Sequence, residues 1–80
     1  MRLQLHYFYL GNYYLTLERA DTAHGIYADS AKAMFEKGVL ADPKFNLNYV
    51  GLGHYEVFSG RPAQGTILIN KAVQIGRAHV

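Results

Sequence analysis

Apolar side chains recur along the start of the chain at steps of four and three. Leu3, Tyr7, Leu10, Tyr14 and Leu17 share one side when wound as a helix, so a first helix is predicted over 3–17. The stripe lapses over 18–27 (ERADTAHGIY), with the helix free to run on towards His24. Gly25 is the expected stop, because glycine accepts a positive φ past a helix end. A second helix is predicted over 28–41, capped by Asp29 or Ser30. Its buried face is Ala31, Met34, Phe35, Gly38 and Val39. Pro43 ends it and biases Asp42 away from helical backbone. A third helix fits 46–59, with Tyr49, Leu52 and Gly53 on one face, Glu56 a turn on, and Ser59–Gly60 closing it. Pro62 then opens a fourth helix, since the first turn has no use for its missing N–H. Its inner side is Gly65, Leu68, Ile69, Ala72 and Val73. No run alternates as a strand would, and no Asn-Gly or Asp-Gly hairpin signal occurs. The fold class is therefore all-α, with short connections that make neighbouring helices antiparallel.

The two halves also match each other. YFYLGNYYL (7–15) aligns without a gap on YVGLGHYEV (49–57), pairing Tyr7 with Tyr49, Leu10 with Leu52, Gly11 with Gly53 and Tyr13 with Tyr55. AKAMFEKGVLADP (31–43) aligns on GTILINKAVQIGR (65–77), pairing Ala31 with Gly65, Phe35 with Ile69, Lys37 with Lys71, Gly38 with Ala72 and Val39 with Val73. The chain is an internal repeat of two helical hairpins. Glycine inside a helix costs about 1 kcal/mol against alanine. Close packing is the expected offset: Gly11 and Gly53 let the second helix of each pair approach, with Ala31 and Gly65 as small partners. Tyr7, Tyr49, Phe35 and Ile69 would fill the space around these contacts, and Gly60 would turn the chain.

This register, from Tyr49 through Leu52-Gly53, Gly60, Gly65 and Ile69 to Ala72, resembles the tetratricopeptide repeat (TPR) family. The ADP of 41–43 falls where that family closes a repeat with proline. The resemblance implies two repeats, 1–43 and 44–77, stacked as an α-α superhelix, with an insertion near 18–27 of about eight residues. Glu56 departs from the family's usual aromatic residue, with Tyr55 beside it, and Gly38 replaces the usual alanine. The tail IGRAHV (75–80) resembles a translated sequencing adapter and is set apart from the fold.

The bulk numbers narrow the function. Eighty residues make one small domain, for which a single core is marginal. Half the residues are hydrophobic, which excludes a disordered chain. No cysteine is present, so no disulfide or thiolate metal site forms. Eight basic residues against six acidic ones leave +2, and the basic ones are scattered singly, so no nucleic-acid partner is expected. The N-terminal apolar stretch is interrupted by Gln4, His6 and Asn12 and reads as neither a signal peptide nor a membrane span.

No catalytic, cofactor or metal constellation is expected. His6, His24, His54 and His79 form no paired metal motif. Glu18, Asp21 and Asp29 lack the spacing of a calcium loop and read as a solvated charged loop with a capping aspartate. Ser30 and Ser59 have no nucleophile elbow, and YVGLGH follows no strand and lacks a third glycine. Among the tyrosines, Tyr7, Tyr14 and Tyr49 fall on the core stripes. Tyr9, Tyr13 and Tyr55 fall off them and are expected against a neighbouring repeat or a partner.

The family resemblance implies a concave groove lined by the first helix of each repeat. Carried over, its side chains are Leu5, Phe8, Asn12 and Leu15, then Leu47, Val50, His54 and Val57. Phe8 stands where the family's chaperone-tail clamp has a lysine, so Asn12 alone implies no clamp. The expectation is a non-enzymatic scaffold for a peptide or partner helix, part of a longer array or prone to self-association. The alternatives are an accessory segment of a larger enzyme and a small ligand-binding bundle.

Overall fold

The computed structural model describes residues 2–20 and 25–78. These form four helices, α1 (Leu3–Ala20), α2 (Ile26–Ala41), α3 (Leu47–Phe58) and α4 (Pro62–Ala78), with no strand among the described residues. The chain is all-α. α1 packs on α2 and α3 on α4, and the pairs meet where α3 lies against α2 and α1. Among the described helices, α4 packs against α3 alone. The result is a slab of 40 × 32 × 16 Å.

The buried seam of α1 lies one residue on from the predicted stripe. Leu3 is 48% exposed and Tyr7, Leu10, Tyr14 and Leu17 are only half-buried, whereas Gly11, Leu15 and Glu18 are buried. The reason is steric. The closest approach is at Gly11, where a Cβ would sit 2.5 Å from Cε1 of Phe35. Neither a glycine nor a glutamate counts in an apolar stripe, so the true seam is camouflaged.

α2 begins two residues earlier than predicted, and neither Asp29 nor Ser30 caps it. The cap comes from α1: the buried Glu18 carboxylate accepts N–H bonds from Gly25 (3.0 Å), Tyr27 and Ala28 (both 3.1 Å). Three donors at a helix start satisfy its orphan N–H groups and place negative charge at the positive end of the dipole. Asp29 lies exposed within the first turn, and the Ser30 hydroxyl donates to the Ile26 carbonyl. Gly25 has the positive φ expected of it (100°), but as the residue leading into α2. Asp21 and His24 lie outside the described residues. Pro43 follows the end of α2 as predicted, with the Asp42 N–H bonded to the Gly38 carbonyl at 3.1 Å.

α3 ends on a glycine turn. The Gly60 N–H bonds to the Val57 carbonyl and the Arg61 N–H to the Glu56 carbonyl, with Gly60 at φ 86°. This is the Schellman arrangement, and Pro62 then starts α4. Residues 75–78, set apart from the fold on sequence grounds, continue α4 without a break, and Gly76 lies beside Asn46.

The core is Leu15, Ala31 and Phe35, with Phe8, Tyr14 and Leu52 packed around it. Phe35 of α2 is wedged between α1 and α3. Its Cδ1 would lie 2.5 Å from a Cβ on Gly51, and its other neighbour is Gly11. In the second pair, Ile69 stands against Gly53 as Phe35 stands against Gly11, so the aligned residues make the same contact. There the backbones also meet: a Cβ on Gly65 would lie 2.7 Å from the Gly53 carbonyl oxygen. In the first pair the atoms nearest a Cβ on Gly11 belong to the Phe35 ring. Asn48 of α3 is fully buried against Gly38, and its amide donates to the Gln4 carbonyl at 3.0 Å, tying α3 to the start of α1.

A candidate groove between the first and third helices

α1 and α3 are the first helices of the two pairs, and they lie beside one another. Where their C-terminal halves meet, an open recess of about 340 Å³ is lined by Leu15, Arg19, His54, Val57 and Phe58. The two ridges that form it follow helical spacing. Leu15 and Arg19 are one turn apart on α1; His54, Val57 and Phe58 fall within one turn of α3. Leu15 is buried beneath it, while Val57 (48%) and Phe58 (45%) keep nearly half their surface in water.

Of the eight groove residues named from sequence, Leu15, His54 and Val57 line this recess. The others lie elsewhere. Phe8 is drawn towards the core, its ring 6.3 Å from those of Phe35 and Phe45. Leu5, Asn12 and Val50 are half-buried, and Leu47 is exposed at the start of α3. Arg19 and Phe58 are new members. Each sits four residues after a groove residue, Leu15 and His54 respectively, which is the signal that could have found them. A second open recess of about 450 Å³ is lined by Glu36, Val39, Leu40 and Leu52.

The off-stripe tyrosines divide. Tyr9 (62%) and Tyr13 (59%) are exposed on α1, whereas Tyr55, expected against a neighbouring repeat or a partner, is buried with Lys32 of the other helix pair beside its ring. Lys32 from α2 and Arg61 approach the Tyr55 ring at 5.8 and 5.7 Å from its centre, a cation–π arrangement. Arg61 also pairs with Glu56 through its Nε and, at 3.3 Å, its NH2 nitrogen. This hydrogen bond holds the Glu56 carboxyl below its ordinary value of 4.5, against a smaller opposite effect of burial, with the Arg61 and Lys32 charges assisting.

Of the carboxylates expected to be solvated, Asp29 is exposed, whereas Glu18 is buried and bonded to the α2 backbone. No three His, Cys, Asp or Glu residues come together as a metal-holding group among the described residues. His6 and His54 are exposed, and His79 lies outside the described residues. No described helix is long and apolar enough to cross a membrane. What the recess offers is apolar surface with N–H donors at its rim. No family model, curated protein or solved structure matches the chain.

Proposed function

We propose that this chain is a non-catalytic protein-interaction scaffold. Its two helix pairs stack in the manner of tetratricopeptide repeats and hold a peptide or partner helix against α1 and α3. The observation that carries this reading is the open recess, where Val57 and Phe58 stay half in water above a floor of Leu15. Half-exposed apolar side chains around a concave floor are what an apolar anchor residue seats against. The repeated contact of Gly11 with Phe35 and Gly53 with Ile69 supports the repeat assignment, since the aligned positions do the same work in both pairs. A stacked array also gives α4, covered only by α3, a natural neighbour in a further repeat or a second copy.

The test is selection of short peptides against the chain from a random library, followed by mapping of amide shifts. Selected peptides are expected to move the amides of Leu15, His54 and Val57. Phe58→Ser, at an exposed position, is expected to weaken them about tenfold, as loss of an aromatic anchor does. Selected peptides that ignore Phe58 and map to α4 would contradict the groove reading.

A further inference from the structure

The geometry points to one class of occupant for the recess at the ends of α1 and α3: a partner segment with a large apolar side chain followed two residues later by Asp or Glu. This rests on the peptide-binding reading above and adds the chemistry of the bound segment.

α1 has 18 residues and α3 has 12. The extra length of α1 carries Arg19 a turn past Leu15, where it faces Val57 and Phe58 and gives the recess a basic end. The lining is otherwise apolar except for His54, and both polar residues offer N–H donors. The described acids nearby in sequence are engaged elsewhere. Glu18 accepts from the α2 backbone, and Glu56 pairs with Arg61. Helix C-termini carry partial negative charge, which disfavours an acid. At α3, however, the carbonyls of Tyr55, Glu56 and Val57 already accept from the turn N–H groups of Ser59, Arg61 and Gly60. Among the described residues, the full charge of Arg19 therefore dominates the rim.

The spacing sets the register. Four helical residues from Leu15 to Arg19 advance about 6 Å. In an extended segment, residues two apart point the same way and lie about 6.6 Å apart. An apolar side chain seated over Leu15 thus presents a carboxylate two residues on to the Arg19 guanidinium.

The test uses the full chain and an N-acetylated, C-amidated peptide, Ala-Ser-Phe-Ser-Glu-Ser-Ala, with Gln and Lys in place of its Glu as comparisons. Binding is read from the amide shifts of Leu15, Arg19 and Val57 at about 50 mM salt, where a rim charge is only partly screened. The Glu peptide is expected to bind about three- to fivefold tighter than the Gln peptide, the range of an exposed ion pair, and the Lys peptide weakest. Arg19→Gln should abolish the Glu preference, and Arg19→Lys should retain most of it. Equal binding of the Glu and Gln peptides at the recess would overturn the acid preference and leave peptide binding intact. A Gln peptide with a free C-terminal carboxylate that matches the Glu peptide would overturn the side-chain assignment. If no peptide moves these amides, the groove reading falls and this inference with it.

Discussion

Phe35 sets how closely three helices come together. Its ring occupies the space that side chains on Gly11 and Gly51 would fill, so it cannot retreat from one without entering the other. Gly51→Ala gains about 1 kcal/mol of helix propensity but overpacks the ring, which costs about 1–3 kcal/mol. A net loss of up to about 2 kcal/mol is expected in urea denaturation, partly recovered when Phe35→Leu is added. Gly76→Ala is the contrast, since its Cβ meets only the Asn46 amide at 3.2 Å, and it should be neutral or stabilising. Equal effects from the two substitutions would mean that the wedge does not form. Gly11 and Gly53 were legible because the two halves repeat them. Gly51 was not, because its counterpart in the first half is Tyr9. Glu18 was misread for a related reason: an acid in a charged run looks solvated until the chain folds back and brings the start of α2 to it.

At the level of elements, helix existence and order could be read from apolar spacing, glycine and proline alone. Apolar spacing alone did not give the face that α1 buries, because Gly11, legible only through the repeat, and Glu18 mark it and neither is apolar. The end of α3 shows how the chain replaces the aromatic residue expected at Glu56. Tyr55 is buried instead, and the partly buried Glu56 pairs with Arg61. Arg61 lowers the Glu56 pKa, so the unfolded chain holds that proton more tightly than the folded one. The resulting stabilisation is full above about pH 4.5 and is lost as pH falls through the lower folded value. Its size is small, since Arg61 is largely exposed. Carboxyl-carbon NMR should place the Glu56 midpoint below its ordinary value in the parent chain and close to it in Arg61→Gln. An unchanged midpoint in that variant would remove Arg61 as the cause.

The whole molecule is a thin slab with its apolar weight off-centre. Leu15, Ala31 and Phe35 lie in α1 and α2, Leu52 joins them from α3, and α4 rests on α3 alone. Local stability should follow that distribution. Hydrogen exchange is expected to show α4 amides least protected and those around Phe35 most; uniform protection would contradict the off-centre core. Three of the eight side chains named for a groove, Leu15, His54 and Val57, line the recess, and Arg19 joins them because α1 outruns α3, a length difference hidden in a segment without apolar periodicity. The central structural claim is that the two helix pairs are joined through the Phe35 wedge. It is tested most directly by nuclear Overhauser contacts from the Phe35 ring protons. The expected result is strong contacts to the α-protons of both Gly11 and Gly51. Contacts to Gly11 alone would show that the pairs do not stack as described and would remove the floor of the proposed groove.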